Sequence, residues 1–487
     1  MSVTDRIIGG FKATFGARIV SNVANGLLML VLARALLSPD EYGLLFLVIS
    51  ILAIFQLGAD LGIARSAARY VSDRKESDPS TVPFILRTSL RYRLVLIGIV
   101  AVGIVLGREV IADVLGNPEL SSLLLVGVIY LAFESVYSYY LAIFQGFNRV
   151  DLSATIEIIN NVARLLFVVG LTAIGLGVVG ALMGYIVGAI LGFVVGSALL
   201  YRQYVSYEDG GGDRSLRNRI LRYSVPLTAT HSASIIDRRV DTVLVAYFVN
   251  PVAVSYYVLA KQISEFVMVP ASSLGFSVSP TYGEQKANES LDRAARIYET
   301  TLQYVFLLYV PAAVGVLLVA KPAITLLFGS DYTGAAPVLQ VFGVYIVFQA
   351  VTKVTTNGLD YLGRANARAV AKGTTSVTNV GLNVVLIPLY GATGAAAATV
   401  ITFGAYTLAN LYVMHRELSL DFVRIGRSFG LATAIAAGMG ITVVFLVPYA
   451  SNIPALVGVI GVGVAVWGVL ATLSGMVDPS EAIANLT

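Results

Sequence analysis

The sequence contains no cysteine, only two histidines and few charged residues. Without cysteine it can form no disulfide, no thiolate metal site and no thiol nucleophile. The two histidines, His231 and His415, cannot supply a cluster of imidazole ligands. Charged residues make up 13% of the 487 positions, against about 25% in a typical soluble domain. A soluble globular protein is therefore not expected.

The low proportion of charged residues is matched by a high proportion of hydrophobic residues. They make up 57% of the sequence, and the mean hydropathy is +0.80. This composition favours an integral membrane protein. Membrane topology then explains the formal net charge of +4, and we expect no nucleic-acid partner. The polar opening segment, MSVTDRIIGGFKATFG, does not resemble a removable signal peptide.

Apolar segments long enough to cross a bilayer recur along the chain. Each spanning helix needs about 20 apolar residues. We therefore predict an all-α polytopic membrane protein with about 14 transmembrane helices. The predicted spans are 14–37, 43–64, 84–106, 121–146, 156–175, 178–200, 222–249, 252–280, 300–320, 335–360, 368–388, 393–413, 427–448 and 454–474.

Lysine and arginine are distributed unevenly between alternate connections. If the N-terminus is cytoplasmic, the inner segments hold nearly all of them, and the outer loops hold only Arg108 and Lys321. Basic residues concentrate on the cytoplasmic side of membrane proteins. We predict a multi-pass protein of the plasma membrane with both termini in the cytoplasm.

The two halves of the chain have similar sequence patterns, separated by the polar segment 201–219. ALLSPDEYG (35–43) resembles YFVNPVAVS (247–255), QGFNR (145–149) resembles YLGRA (361–365), and GLGVVGALMGY (175–185) resembles PLYGATGAAAA (388–398). These alignments place Pro39 on Pro251, Gly146 on Gly363, Gly177 on Gly391 and Gly180 on Gly394.

The repeated unit has six helices, an even number, so both copies face the same way. We predict two six-helix lobes in a parallel pseudo-repeat, with a cavity between them, and two C-terminal helices. The boundaries are 1–205 for the N-lobe (helices 1–6), 206–221 for a cytoplasmic linker, 222–415 for the C-lobe (helices 7–12) and 416–487 for helices 13 and 14.

Glycine recurs at every fourth position from 180 to 196, at Gly180, Gly184, Gly188, Gly192 and Gly196. This spacing keeps the glycines near one helix face, where a neighbouring backbone can approach closely. GLGVVG (175–180) matches the letters of a dinucleotide fingerprint. It lies between two predicted spans and not inside a βαβ unit, so we assign it to a turn.

Four charged residues interrupt the span predicted at 222–249. Too few residues separate them from Asn250-Pro251 for a crossing of about 20 residues, so they lie near mid-depth. A basic residue there costs roughly 2.5–3.5 kcal/mol and must face a partner or water. The four are Asp237, Arg238, Arg239 and Asp241.

Lys261 and Glu265 of the next span are candidate partners for this cluster. They lie one turn apart, and a hairpin around Asn250-Pro251 places them level with Asp241 and Asp237. We predict an Asp241–Lys261 ion pair, with one arginine satisfying the acids and the other left for a ligand. A closed, self-neutralised network that joins two helices is the alternative.

Polar residues also interrupt other spans. Asn22 and Asn25 share one face of the first helix with Arg18, and the repeat offset places Asn25 at the depth of Asp237. Of the remaining interruptions, the two nearest the inner face, Asp60 and Arg65, are expected to snorkel to it. The others are Glu134, Glu157, Arg164 and Lys353.

Several segments resemble the polysaccharide-biosynthesis (Wzx-type) flippases of the multidrug/oligosaccharidyl-lipid/polysaccharide flippase superfamily. They are LLSPDEYGLLFL (36–47), FQLGADLGIARSAARYVS (55–72), DTVLVAYFVNPVAVSYYVLAKQI (241–263) and GATGAAAATVIT (391–402). The resemblance implies alternating access and transfer of a polyprenyl-(pyro)phosphate-linked oligosaccharide from the inner to the outer leaflet. It implies a transporter rather than an enzyme, without a cofactor. Coupling to an H+ or Na+ gradient or to the membrane potential stays open, and glycan polymerase or oligosaccharyltransferase machinery is a candidate partner.

The resemblance also implies a cavity lined by helices one, two, seven and eight. Arginine suits the substrate phosphate because it is always charged and donates bidentate hydrogen bonds. We expect a substrate-binding set and a charge network, with no metal site. The substrate-binding set is Arg18, Asn22, Asn25, Arg238, Arg239 and Lys261, and the charge network is Asp237, Asp241 and Glu265.

Two other functions remain as alternatives. An ion-coupled exporter of small molecules or drugs would share the fold, although the acid that such exporters often carry in helix one is absent from 14–37. A membrane glycosyltransferase or polymerase would need a sizeable outer loop with convergent acids or histidines. The outer loops here are short, which disfavours the second alternative.

Overall fold

The computed structural model describes residues 16, 19–204, 207–208, 210, 214–288 and 290–476, without the side chains of 203–204, 214, 225–227, 229–234, 269 and 276–277. These described residues form helices and short connections, with no β-strand. Their contacts define two compact units that meet in sequence between Val254 and Ser255. The prediction of an all-α protein is confirmed, and the lobe boundaries stay predictions.

The helices follow one another with short connections. In the first unit they are α1 (Ile19–Leu36), α2 (Pro39–Asp60), α3 (Ile63–Arg74), α4 (Val82–Val114), α5 (Glu119–Gly146), α6 (Val150–Leu171), α7 (Gly177–Tyr204) and α8 (Arg214–Phe248). The second unit begins within α9 (Pro251–Phe266) and continues with α10 (Val269–Ala287), α11 (Leu291–Phe328), α12 (Ala335–Tyr361), α13 (Ala365–Leu418), α14 (Phe422–Leu446) and α15 (Ile453–Leu473).

Ten helical stretches of the described chain are long and apolar enough to cross a membrane, or eleven if a bent pair counts as one span. The bent pair is α9 and α10, which meet at 48°, so the span predicted at 252–280 is broken. Two of the ten stretches, Val150–Arg202 and Ala365–Leu418, contain 53 and 54 residues. That is about twice the length one span needs.

A glycine turn of the same backbone conformation interrupts both long stretches. Gly177 has φ 51° and ψ −136°, and Gly391 has φ 58° and ψ −140°. A side chain is strained in this region, so glycine is required at both positions. The sequence alignment placed Gly177 on Gly391, and their conformations agree. The turn at Gly177 also accounts for the false dinucleotide fingerprint.

Proline opens a helix at both positions that the repeat alignment paired. Before Pro39, Ser38 Oγ accepts a hydrogen bond from Glu41 N at 3.3 Å, and the Glu41 carboxylate accepts one from Ser38 N at 2.9 Å. Before Pro251, Asn250 Oδ1 accepts a hydrogen bond from the Ala253 amide at 2.8 Å. A polar N-cap followed by proline satisfies free amides of the first turn without losing a helical hydrogen bond.

The turns that end α5 and α12 correspond in a register that differs from the predicted one. Asn148 and Gly363 occupy the left-handed region, with φ 58° and 77°. The amides of the next residues, Arg149 and Arg364, each donate back across the turn at 2.8 Å. Gly363 therefore corresponds to Asn148, and its pairing with Gly146 was wrong by two residues. Gly146 is instead pressed against the backbone of α3.

The regularly spaced glycines of α7 pack against α6 and α5, as predicted. A Cβ on Gly184 would lie 2.3 Å from the backbone nitrogen of Val168 in α6. A Cβ on Gly196 would lie 2.4 Å from the ring of Tyr140 in α5. Both distances are too short for real atoms, so glycine allows this close approach. The glycine stripe thereby sets the positions of the polar residues on α6.

A buried ion pair joins α2, α4 and α5. Arg93 is 1% exposed and donates from Nη1 to Asp60 Oδ1, from Nε to the Ser135 carbonyl at 2.8 Å and from Nη2 to Ser138 Oγ at 2.9 Å. Asp60 is therefore held in the interior, and the expectation that it snorkels to the surface is wrong. The sequence analysis did not single out Arg93.

Candidate functional site

The four charged residues that interrupt α8 lie inside a continuous helix. Asp237 and Arg239 are half-buried, Arg238 is exposed and Asp241 is 1% exposed. Each of the four has an interaction partner. Asp241 precedes the helix end at Phe248 by about 10 Å along the axis. The cluster is therefore in the body of the helix and not at its end.

The predicted partners Lys261 and Glu265 lie on α9 in the second unit. Lys261 is half-buried, and its Nζ lies 5.3 Å from the centre of the Tyr257 ring, a cation–π geometry. Glu265 is exposed. The Asp241–Lys261 ion pair would join the two units, and it stays a prediction.

Three residues of the first helix were predicted to bind substrate, and one of them, Asn25, forms a hydrogen bond with a charged side chain. Asn25 Oδ1 accepts a hydrogen bond from Arg164 Nη2 at 2.5 Å. Asn22 and Asn25 are both exposed. Arg18 lies outside the described residues, so its role stays a prediction.

Arg164 of α6 is the centre of a polar cluster that the sequence analysis recognised only as an interruption. Its Nη2 also donates to Asn161 Oδ1, at 2.6 Å, and its Cζ lies 5.2 Å from the centre of the Tyr185 ring in α7. Its Nε is buried and has no hydrogen-bond partner among the described atoms. The groups that accept its hydrogen bonds are neutral amides, and Glu134 of α5 interacts with its charge electrostatically.

A second set of hydrogen bonds connects α1 and α6 beside Arg164. Ser21 Oγ accepts a hydrogen bond from Asn161 Nδ2 at 2.7 Å and donates one to Glu157 Oε1 at 3.2 Å. Hydroxyl, amide, carboxylate and guanidinium groups therefore adjoin one another. We call this set the Arg164 cluster; its members are Ser21, Asn25, Glu157, Asn161 and Arg164.

Tyrosines and a further arginine border the Arg164 cluster. Tyr130 of α5 and Tyr185 of α7 pack edge to face, with ring centres 5.9 Å apart. Both tyrosine hydroxyls lie in the electrostatic field of Arg164, Glu134 and Arg239. The structure therefore brings Arg239, which the sequence predicted as a ligand for phosphate, into the neighbourhood of Arg164.

This arrangement can hold an anion beside a polyhydroxylated group. Guanidinium groups bind phosphate oxygens through paired, charge-assisted hydrogen bonds. Amide, hydroxyl and carboxylate side chains exchange hydrogen bonds with hydroxyls. Charged residues within membrane segments commonly mark the path of a transported solute. In the described part of the chain, no group of three or more histidine, aspartate and glutamate residues could hold a metal ion.

The second unit contains a buried polar group that the sequence analysis missed. Asn383 Nδ2 donates to Asn379 Oδ1 at 2.9 Å, and Asn379 Nδ2 donates to Thr402 Oγ1 at 3.2 Å. All three residues are in α13, and the two asparagines lie one turn apart inside the predicted span 368–388. The four-residue spacing of these asparagines within an apolar span was the sequence signal that could have predicted this group. In the first unit the corresponding signal was the four- and three-residue steps from Glu157 to Asn161 to Arg164.

Comparison with known families decides the class of this chain. Residues 31–337 match the family described as polysaccharide biosynthesis protein. The chain belongs to this family. The resemblance that the sequence segments indicated is therefore confirmed, and the match begins in α1 and ends in α12.

Individual proteins that are similar to this chain support the family assignment. A probable low-salt glycan biosynthesis flippase of Haloferax volcanii is 23% identical over 391 residues, 79% of each chain. The structure of the lipid II flippase MurJ in its inward closed conformation matches with a TM-score of 0.76 at 17% identity and covers 96% of this chain and 98% of that one. An inward-facing multidrug resistance MATE family transporter of the MOP superfamily matches with a TM-score of 0.66 at 18% identity, over 82% and 94%. The family member thus has a fold like those of MurJ and MATE proteins.

Proposed function

We propose that this family member is a flippase that moves a polyprenyl-(pyro)phosphate-linked oligosaccharide from the inner to the outer leaflet. Alternating access carries the substrate across, and the product serves cell-surface polysaccharide or glycoprotein synthesis. The observation that carries this proposal is the Arg164 cluster, in which an arginine inside an apolar protein donates hydrogen bonds to amides beside hydroxyl and carboxylate groups. A lipid-linked oligosaccharide presents the matching chemistry, a phosphate beside sugar hydroxyls. The names of the glycan and lipid II flippases among the similar proteins support this substrate class.

In this proposal the two long stretches are divided at their glycine turns, which gives fourteen spans. α1, α2, α4, α5, α6, α7, α8, α11, α12, α14 and α15 each cross once. α9 with α10 forms one broken span, and α13 crosses twice, before and after Gly391. The even number keeps both termini on the cytoplasmic side of the plasma membrane.

The proposed roles follow the charges of the side chains. Arg238 or Arg239, together with Arg18, holds the substrate phosphate, and Arg164 adds a further cation to this set. Asn22, Asn25 and Lys261 contribute to substrate binding. The acids Asp237, Asp241 and Glu265 adjust the charge of the site, contact sugar hydroxyls or bind a coupling cation.

Energy coupling and partners belong to the same proposal. An H+ or Na+ gradient or the membrane potential drives the cycle, and no cofactor takes part. Glycan polymerase or oligosaccharyltransferase machinery receives the translocated substrate. Measuring transport in proteoliposomes with each gradient imposed separately identifies the driving force.

Deletion of the gene tests the function directly. Lipid-linked oligosaccharide on each leaflet and glycan at the cell surface are measured in the same cells. Accumulation of the inner-leaflet intermediate with loss of surface glycan supports the flippase, and the mass of the intermediate identifies the substrate. Unchanged intermediates and normal glycan, in a host without a second flippase, contradict it.

The predicted charge cluster of α8 is tested by two separate substitutions. Arg239→Ala removes a proposed phosphate ligand, and Asp241→Ala removes a buried acid of the same helix. Both variants are expected to lose transport when returned to the deletion strain. Normal transport by both would remove α8 from the site and leave the assignment to the Arg164 cluster alone.

An ion-coupled exporter of small molecules is the second candidate, favoured by the structural similarity to the MATE transporter. The two functions differ in the substrate that crosses the bilayer. Proteoliposomes loaded with a lipid-linked oligosaccharide or with a free cationic drug distinguish them. Movement of the drug alone would replace the flippase proposal.

A further inference from the structure

The bend between α9 and α10 is held by one buried side chain of α11. Tyr309 is 1% exposed, and its hydroxyl accepts a hydrogen bond from the Ala271 amide at 2.8 Å and donates one to the Val267 carbonyl at 3.1 Å. In an unbroken helix the amide of residue 271 would donate directly to the carbonyl of residue 267. The hydroxyl is therefore inserted into the helical hydrogen-bond ladder, which bends a helix sharply.

Proline weakens the span at the same place. Pro270 lies in the first turn of α10. It has no amide hydrogen for the carbonyl of Phe266, and its ring crowds that carbonyl. The bend also separates the Val267 carbonyl from the Ala271 amide, and unsatisfied backbone groups are costly within a membrane. Tyr309 satisfies both groups, so a tertiary contact stabilises the bend that proline favours.

The break between α2 and α3 has a different backbone. Leu61 and Gly62 adopt left-handed conformations there, with φ 42° and 69°. In the described backbone of Ile263–Gly275, no residue has a positive φ. Met268, just before α10, has φ −83° and ψ −7°, close to the right-handed helical region. Straightening the α9–α10 bend therefore requires only small changes of backbone angle.

A lysine fastens the inner end of α10 to neighbouring helices of the same unit. Lys286 Nζ donates to the Leu362 carbonyl at the end of α12 at 2.7 Å and lies 3.6 Å from the Glu417 carboxylate of α13. Arg364 pairs with the same carboxylate at 2.6 Å and lowers the pKa of Glu417 through its hydrogen bond. The side chain of Lys286 is 45% exposed, so its ammonium group exchanges these contacts for water at little cost.

We propose that Val267–Ala271 is a hinge between two states of this span. In the bent state Tyr309 bridges the hinge, and Lys286 holds the inner end of α10 against the end of α12. In the straighter state the Ala271 amide donates directly to the Val267 carbonyl, and the inner end of α10 moves away from α12. Each state satisfies the hinge backbone with hydrogen bonds, so the two differ little in free energy.

The movement is large enough to change access from the cytoplasm. The 19 residues of α10 extend about 28 Å, and halving the 48° bend moves the end of this helix by roughly 10 Å. That end is cytoplasmic in the predicted topology. A role of the hinge in alternating access rests on the proposed transport function, whereas the existence of two states does not.

Labelling of a single introduced cysteine tests the two states without measuring transport. The unaltered chain contains no cysteine. Ser279 is 1% exposed and follows Gly275 by one turn, on the face where a Cβ at Gly275 would lie 3.0 Å from the Lys353 carbonyl of α12. A thiol introduced by Ser279→Cys is thus covered in the bent state. Its rate of reaction with N-ethylmaleimide, followed by mass spectrometry of the full chain in detergent, reports the fraction in the straighter state.

Tyr309→Phe removes the bridge from the bent state only. The labelling rate at Ser279→Cys is expected to rise about tenfold, as for the loss of one to two hydrogen bonds. Lys286→Gln acts on the same equilibrium and should raise the rate several-fold, and Lys286→Arg, which keeps the charge, should change it less. Unchanged labelling in both the folded Tyr309→Phe and the folded Lys286→Gln proteins would overturn the hinge.

A second buried position separates hinge opening from general loosening. Ala436 of α14 is 0% exposed and lies in the same unit. The labelling rate at Ala436→Cys should be the same with and without Tyr309→Phe. An equal rise at both positions would attribute the effect to a less stable fold and would contradict the hinge.

A reversible crosslink tests whether the hinge takes part in transport. A Cβ at Gly283 would lie 3.8 Å from the Cβ of Tyr361, a separation typical of disulfides. Oxidised Gly283→Cys/Tyr361→Cys should hold α10 in the bent state and stop transport in proteoliposomes, and reductant should restore it. Each single-cysteine variant should be insensitive to oxidation. Full transport by the completely oxidised protein would exclude the hinge from the cycle, whereas a folded, reduced protein that moves no lipid-linked substrate would contradict the proposed function instead.

Discussion

Two arginines of the first unit, Arg93 and Arg164, are both held inside the membrane-spanning bundle, but their surroundings differ. Arg93 is 1% exposed, and all three of its guanidinium nitrogens donate hydrogen bonds, one of them to the carboxylate of Asp60. Arg164 is half-buried, and one nitrogen is shared between the amides of Asn25 and Asn161, while its Nε has no partner in the described structure.

The difference separates a structural charge from a charge that can act on a ligand. Asp60 neutralises Arg93, and the surrounding oxygens use its remaining donors, so an incoming anion would have to break an ion pair. The amides around Arg164 orient the guanidinium and are themselves neutral, and Glu134 interacts with its charge electrostatically. An anion that reaches Arg164 gains an ion pair at little cost to existing contacts. A polar residue in a membrane helix is therefore best judged by the partners it already has.

The largest effect is expected for Arg93→Ala. It leaves the Asp60 carboxylate buried without its cation, which costs about 3–5 kcal/mol in folding stability. We expect little folded protein in membranes, measured by size-exclusion chromatography and thermal unfolding. Asp60→Asn combined with Arg93→Gln removes both charges and should recover much of the loss. Normal stability of the Arg93→Ala protein would contradict the structural role that we assign to Arg93.

Arg164→Gln is expected to affect transport more than stability. The substitution removes the positive charge, and we expect transport of the lipid-linked substrate in proteoliposomes to fall by about 10- to 100-fold, as for the loss of a charge-assisted contact. Thermal stability should change much less than in Arg93→Ala. Arg164→Lys keeps the charge and should retain part of the activity. Unaltered transport by a folded Arg164→Gln protein would contradict a ligand role for this arginine.

Gly188→Ala tests whether helix packing positions Arg164. A Cβ at Gly188 would lie 2.9 Å from Arg164 Cβ and 3.0 Å from the Asn160 carbonyl, so α6 must shift or strain. Overpacking of this kind costs about 1–3 kcal/mol, and transport should fall with stability. Gly170→Ala on α6 is the matched control because no atom lies within 4 Å of its new methyl group. Equal transport and stability of the two variants would show that α6 and α7 can accommodate the added methyl group without displacing Arg164.

The smallest effect is expected for Asn25→Ala. It removes one of the two amide oxygens that orient Arg164. A hydrogen bond to a charged group contributes about 1.5–3 kcal/mol, and the exposure of Asn25 places this bond at the lower end. Transport should fall several-fold, with an increased concentration for half-maximal rate. Asn22→Ala, one turn earlier, tests the second amide that we assign to substrate binding, and Leu27→Ala, at an exposed apolar residue of the same helix, is the control. A larger loss for Asn22→Ala than for Asn25→Ala would redirect attention to a different face of α1.

Local sequence patterns predicted much of the architecture. The Ser38–Pro39 and Asn250–Pro251 signals start helices because capping and proline geometry involve neighbouring residues only. The positive-φ turn at Gly177 and Gly391 was found for the same reason. The register of the turn at Gly363 was mistaken because asparagine also tolerates the left-handed region, and Asn148, not Gly146, occupies it.

The candidate site was predicted only in part. Charged residues on α8 and an amide on α1 were recognised because they interrupt apolar spans. Arg93 was overlooked although it interrupts the span predicted at 84–106 in the same way. The importance of Arg164 was also missed, because its acceptor Asn25 is 139 positions away and no spacing rule connects the two.

The sequence by itself determined the class of the protein, the places where helices start and turn, and the presence of charge within apolar spans. These properties depend on composition and on contacts within a few residues, which the order of amino acids specifies directly. Tertiary structure decided the partners of each charge. It pairs Arg93 with the carboxylate of Asp60, and it directs the hydrogen bonds of Arg164 to the amides of Asn25 and Asn161. The physical reason is that helical periodicity assigns a residue to a face of its own helix, whereas the rotation and the neighbour of that helix follow from packing across the bundle.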